Sequence, residues 1–381
     1  MLLFFFGVKY SAFSLQPGCK YTRLPVSFFS LQKAFACRKI VIFRNKLRPE
    51  ALRPLKFHPI LKQTLWGGER IIPYKELASG LSRVGESWEL SGMPGSESVV
   101  AEGPWAGSTL SELIGRFGAE LLGKANYARF GQEFPLLVKF IDAREDLSIQ
   151  VHPDDELARK RHGKSGKCEM WYVLEAEPGA SLLTGFSRPI APAEYERRVA
   201  DNTLTDVLNR QAIASGDVFY LPAGRVHSIG KGSFIVEIQQ SSDITYRIYD
   251  FDRRDAAGNS RELHTELARE AIDFESSENS RITYAPENNQ EVRLVTTPYF
   301  TTSLYTLTAR TRCDWSATDS FRGNSSASGE WFIDRQRRQS NRCPAGRNLV
   351  VARIDAMDRN HSAYSAPAPT DKPDLENPEF K

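Results

Sequence analysis

Ser148-Ile149-Gln150-Val151-His152-Pro153 is the stretch on which the reading of this chain turns. In an extended strand side chains alternate with period two, so Gln150 and His152 project from one face. Glu169 stands seventeen residues beyond His152, inside Lys167-Cys168-Glu169-Met170-Trp171-Tyr172-Val173. On that segment Lys167 and Glu169 again share a face. The third piece is Gly216-Asp217-Val218-Phe219-Tyr220-Leu221-Pro222-Ala223-Gly224-Arg225-Val226-His227.

That last piece has the form Gly-x5-Pro-x-Gly-x2-His and resembles the second signature of the cupin superfamily. Two histidines, a glutamate and a glutamine on neighbouring strands of a small barrel make an N/O donor set suited to a divalent metal, zinc ahead of the others. Gln150 takes the place of the first histidine of the usual His-x-His, and the gap to Glu169 is long. Both departures resemble type I mannose-6-phosphate isomerase in its shorter bacterial form. The resemblance extends to Leu65-Trp66-Gly67-Gly68, Gly85-Glu86-Ser87-Trp88-Glu89, Leu137-Val138-Lys139-Phe140-Ile141-Asp142-Ala143, and the run from Gln240 to Asp252. It covers about Leu52 to Phe321.

The resemblance implies a mainly β fold: a cupin jelly-roll barrel with small helical insertions and a second, C-terminal cupin barrel that is incomplete here. It implies interconversion of mannose 6-phosphate and fructose 6-phosphate through a cis-enediolate, with one zinc ion per chain held by Gln150, His152, Glu169 and His227. Lys167 takes substrate binding and proton handling, and Arg247 is the active-site arginine, its rigid donor fork suited to phosphate or enediolate oxygens. Trp171 joins the substrate-binding set. The proton-transfer base stays open between Lys167, a carboxylate and a water on the metal. Two other classes compete: another metal-dependent cupin enzyme, such as an iron dioxygenase, and a non-catalytic or damaged sugar-phosphate-binding cupin. Gln150 and Lys167 speak against the first; the presence of Lys167 and Arg247 speaks against the second.

Around this centre the chain divides unevenly. Residues 1–49 hold nine basic side chains and no acid; removing those nine charges from the net +3 of the whole leaves −6. Nothing in the mildly acidic remainder suggests a nucleic-acid partner, and no membrane or obligate protein partner is expected. The apolar start, Met1 to Val8, is too short to span a bilayer. The preferred reading of 1–49 is upstream sequence translated from a wrongly chosen start codon, ahead of an organellar targeting segment. Residues 50–280 form the expected catalytic domain and 290–321 the start of a second barrel. Residues 322–381 form a divergent tail in which arginine replaces lysine through Asn360 and β-runs shrink to 331–333 and 349–351; a frameshift would produce it. Five cysteines, an odd number without Cys-x-x-Cys, argue for a reducing, cytoplasmic compartment. Cys168 reads as a small buried filler.

Helices are expected from Thr109, which with Glu112 makes a capping box ahead of Leu110, Leu113, Ile114, Phe117, Leu121 and Leu122. Others are expected over 154–162, within 191–208 and over 262–274. Phe234, Val236 and Ile238 alternate with Ile235, Glu237 and Gln239, the pattern of a half-buried strand. Gly163 to Lys167 lacks the full phosphate-loop pattern. Asp243 and Asp250 flank Arg247, as orienting groups or structural ion pairs, while Trp66 and Glu89 are candidates to line the pocket. His58, His162, His264 and His361 have no partner at ligand spacing and read as structural or exposed.

Overall fold

The computed structural model describes residues 52 and 54–353, apart from short gaps at 256, 276–278, 310, 314–318, 326–330, 335–340 and 344–346. The expectations for residues 1–49 and 354–381 lie outside the described residues.

Two antiparallel sheets face each other. The larger runs in the order Arg281–Ile282, Val218–Leu221, Glu169–Ala176, Ser233–Gln240, Leu136–Asp142, Val84–Met93, Ile60–Gly68, with Ser96–Glu97 paired to Val84–Met93. The smaller runs Tyr246–Tyr249, Ile149–Val151, His227–Ile229, Ser181–Phe186, Leu208–Ala212. Between them sits an apolar core that includes Trp66, Ile141, Trp171, Val173, Leu182, Phe219, Ile229 and Ile235. Each of these residues lies at an alternate position on its strand, which is why period-two sequences close into a barrel. This is the expected cupin architecture.

The alternation around Glu237 is where the expectation needs correcting. Ser233–Gln240 is buried along its whole length, as are Leu136–Asp142 and Val218–Leu221. Phe234, Val236 and Ile238 do face one side, but their alternates do not meet water. The outer face of the large sheet is covered by the helices and by Leu294, Val295, Phe300, Leu304 and Phe321, while the inner face closes the barrel. Glu237 and Gln239 are therefore buried polar groups inside the barrel.

Those covering residues belong to or adjoin a six-stranded sheet ordered Leu55–Lys56, Trp331–Asp334, Arg322–Ser325, Arg347–Arg353, Thr301–Leu307, Glu291–Thr296. The two β-runs noted late in the sequence fall within its strands 331–334 and 347–353. Thr311–Cys313 and Asn341–Cys343 pair separately.

The capping box forms as expected, with Thr109 Oγ1 accepting from Glu112 N–H and Glu112 accepting from Thr109 N–H. The helix it starts ends at Phe117, short of Leu122, because Gly118 adopts φ 46°, in the left-handed region. Ala119–Leu122 and Lys124–Phe130 continue as separate turns that keep Leu121 and Leu122 buried. On the outer side of the small sheet, helices Asp155–His162, Pro192–Ala200 and Thr265–Ala271 pack on Ile149, Val151, Tyr246 and Ile248. Among the described residues no helix is long and apolar enough to cross a membrane.

Candidate metal centre and active site

The small sheet aligns its polar residues in one row. Arg247 stands opposite Gln150, Gln150 opposite His227, and His227 opposite Thr184. Paired residues of an antiparallel sheet point to the same face, and here that face is the barrel interior. His152 follows the strand Ile149–Val151 by one residue. Glu169 begins its strand on the opposing sheet.

These elements bring together three donors. His152, Glu169 and His227 offer ligand atoms that all lie within 4.8 Å of one another, and all three residues are buried. Glu169 Oε1 is 3.2 Å from His227 Nε2, and Oε2 is 3.5 Å from His152 Nε2. Two donors at about 2.1 Å from one tetrahedral ion are separated by about 3.4 Å, so these distances suit a shared zinc-sized cation. Each imidazole is oriented from behind. His152 Nδ1–H donates to Ile244 O at 2.8 Å, and His227 Nδ1–H to Arg225 O at 2.8 Å. That fixes the tautomer and leaves the Nε2 lone pair for the centre, as metal-ligating histidines require. Gln150 Nε2 is 3.4 Å from His227 Nε2. Ligation by Gln150 takes a half-turn of its amide, since only Oε1 has a lone pair to give.

The electrostatics fit the same purpose. Burial pushes His152 well below the usual imidazole range, with the charge of Lys167 adding to it. Burial brings His227 down to about 4. Both rings are neutral at pH 7. Burial, followed by the charge of Glu237, drives Glu169 upward against the pull of Lys167. Lys167 Nζ lies 3.0 Å from Glu169 Oε2 and 3.1 Å from His152 Nε2. Glu169 is thus ion-paired with Lys167, and the fit to a divalent cation rests on the donor set: a carboxylate and two imidazoles, all buried, with ligand atoms within 4.8 Å of one another.

Arg247 is half-buried on the edge strand. Its Nη1 donates to Glu262 O at 2.9 Å, while its Nε–H has no acceptor among the described residues. Burial, then the nearby Arg261, lowers its pKa.

Comparison with known proteins sharpens this picture. Residues 55–182 match the description "phosphomannose isomerase type I, catalytic domain". The chain is 37% identical over 251 residues to mannose-6-phosphate isomerase of Streptococcus mutans, covering 65% of this chain and 77% of that protein. It is 39% identical over 224 residues to mannose-6-phosphate isomerase ManA of Bacillus subtilis, covering 58% and 69%. The chain belongs to the type I phosphomannose isomerase family. A crystal structure of the Bacillus subtilis mannose 6-phosphate isomerase superposes with TM-score 0.71 at 28% identity, over 79% of this chain and 99% of the other.

As a type I phosphomannose isomerase, the chain carries a buried charge network that the sequence reading passed over. Glu237 stands opposite Trp171 on one side and Lys139 on the other. It accepts from Trp171 Nε1 at 3.0 Å and pairs with Lys139 Nζ at 2.9 Å. The available signal was a charge inside each of two apolar strands, Lys139 in LLVKFID and Glu237 in SFIVEIQQ. Trp171 itself has no exposed surface and stands behind His227. Of the other residues singled out, Asp243 pairs with Lys164, and Asp250 binds Arg261 and Arg253. Glu89 pairs with Lys75, and Trp66 lies in the barrel core.

Proposed function

We propose that this family member interconverts mannose 6-phosphate and fructose 6-phosphate through a cis-enediolate, using one zinc ion held by Gln150, His152, Glu169 and His227. The observation that carries the metal assignment is the donor set: the buried Glu169 carboxylate, paired with Lys167, is faced by two imidazoles whose Nδ1 protons are already committed. A bound zinc would supply positive charge next to the oxygens on which negative charge develops.

The chain's own residues divide the remaining work. The reaction moves one proton between C2 and C1 of the open-chain sugar and a second between O2 and O1, while the C–H electron pair passes through the enediolate. Lys167, a buried cation beside Glu169, serves as hydrogen-bond donor to a substrate oxygen and takes part in proton handling. Arg247 has one side of its guanidinium on Glu262 O and an unmatched Nε–H, leaving a donor edge for an anionic oxygen of the phosphate or the enediolate. Trp171 forms the wall behind His227. Catalysis is assigned to residues 50–280, with 290–321 opening the second barrel, and a cytoplasmic location follows from the cysteine usage.

The test is a coupled isomerase assay on the full chain, with zinc quantified before and after treatment with a chelator. Activity that disappears with the zinc and returns on its addition is the expected result. Activity unaffected by complete zinc removal overturns the metal assignment. A zinc-loaded, folded and inactive protein favours the sugar-phosphate-binding alternative.

A further inference from the structure

The edge strand Tyr246–Tyr249 has one neighbour in its sheet, Ile149–Val151. Its outer side at Arg247 is closed by a single residue. Arg247 N–H donates to His264 Nδ1 at 3.2 Å, and His264 N–H donates to Arg247 O at 2.7 Å. An adjacent antiparallel strand makes this same pair of bonds, with the imidazole nitrogen here in place of a carbonyl oxygen. Two residues earlier, Glu262 O receives Arg247 Nη1. Backbone donor, backbone acceptor and guanidinium are thus all held by the segment 262–264.

That segment is itself anchored. Ala268 N–H donates to His264 O at 2.8 Å, so His264 is tied into the first turn of the helix Thr265–Ala271. Ala268 and Ile272 are buried against the same cluster as Tyr246 and Ile248, the two neighbours of Arg247. Accepting from Arg247 N–H requires a lone pair on Nδ1, which places the ring proton on Nε2, the nitrogen 3.8 Å from Glu262 Oε2.

We propose that His264 is a positioning residue for Arg247: it fixes the strand edge and, with Glu262, the face of the guanidinium turned to the substrate. The proposal rests on the reading that Arg247 contacts substrate. A guard that merely blocks the sheet edge against foreign strands would act on stability or association and leave the kinetics alone.

The experiment uses full-length zinc-loaded enzyme with His264→Ala, His264→Asn, His264→Gln, Arg247→Ala and the double variant Arg247→Ala/His264→Ala. It reads kcat, KM, bound zinc and the urea midpoint. Loss of one ordering hydrogen bond predicts a fall in kcat/KM of roughly 5- to 10-fold for His264→Ala, with zinc at the wild-type level. Asparagine puts an acceptor where Nδ1 stands, so His264→Asn should restore kcat/KM to within about twofold. Glutamine puts its acceptor one atom farther out and should not. Adding His264→Ala to Arg247→Ala should change little, because residues that act through one another are not additive. An equal loss in both backgrounds overturns the proposal, as does a lowered midpoint with unchanged kinetics. If His264→Ala does not fold, equal kcat/KM for the Asn and Gln variants overturns it. Wild-type kinetics in Arg247→Ala would instead sink the reading of Arg247 on which the proposal depends.

Discussion

The indole of Trp171 stands edge-on to the imidazole of His227, with ring centroids 5.4 Å apart and planes at 79°. Its Nε1–H is committed to Glu237 at 3.0 Å. One side chain therefore joins the donor set of the candidate metal centre to the buried Glu237–Lys139 pair. Packing and polarity are coupled here: the ring cannot rotate to relax against His227 without taking its donor away from Glu237 Oε2, while Lys139 stays on Oε1.

Trp171→Phe separates the two contributions. It keeps an aromatic ring near His227 and deletes the N–H. A buried carboxylate oxygen that loses its donor costs about 1–3 kcal/mol, read as a lowered urea midpoint with the unfolding slope unchanged. Bound zinc should stay near one per chain. A midpoint equal to wild type would show that the indole N–H contributes nothing.

Glu169→Ala tests the donor set directly. Glu169 supplies the carboxylate among the proposed ligands, and its two oxygens lie 3.2 and 3.5 Å from the two histidine Nε2 atoms. Without it two neutral imidazoles and a neutral amide remain, beside the Lys167 ammonium. Zinc in the purified, folded variant should fall far below one per chain. Full occupancy would remove Glu169 from the ligand set.

The proposed metal donors could be picked out in the sequence because their spacing is local. Gln150 and His152 are two residues apart on one extended segment, and Glu169 and His227 open or follow short turn-bounded runs. What could not be read was anything decided by how the sheets are covered. Glu237 alternates with apolar residues as an exposed strand position would, and only the packing of Leu294, Phe300 and Phe321 on the far side turns that strand into interior. The break at Gly118 has the same character. A helix-period pattern ran through it to Leu122, and the φ of 46° ended the helix while both leucines stayed in the core. His264 has no ligand-spaced neighbour in the sequence. Its partner is the backbone of Arg247, across a connection whose path no local pattern specifies.

Acid should weaken the Glu237 network in a defined direction. Burial pushes Glu237 upward, but the charges of Lys139 and Lys167 outweigh it and hold the carboxyl below its usual range. A carboxylate with a lower pKa folded than unfolded stabilises the fold above the unfolded value, and that contribution is lost as pH falls. With an unfolded pKa of about 4.3, the loss reaches about 0.6 kcal/mol by pH 4. Glu237→Gln has no such proton to bind. The stability difference between chelator-treated wild type and Glu237→Gln, measured in urea at pH 7 and pH 4, should therefore narrow by about that amount. A difference that widens on acidification would contradict the assignment of Glu237 as an ionised partner of Lys139.

Arg247→Lys separates catalysis from simple anchoring. Lysine keeps the charge and loses the fork, so any two-point contact through the Nε edge is lost. Its ammonium can still reach a carbonyl such as Glu262 O, which keeps the comparison close to isosteric at the stem. If the fork binds more strongly as negative charge develops, kcat should fall at least ~10-fold, a rise in the barrier of at least ~1.4 kcal/mol. If it binds phosphate equally in ground and transition states, KM should rise with kcat unchanged. Bound zinc should remain at the wild-type level in either case, because Arg247 offers no lone pair. Steady-state isomerisation of mannose 6-phosphate by wild type and variant decides between the two, and unchanged kcat and KM would take Arg247 out of the site.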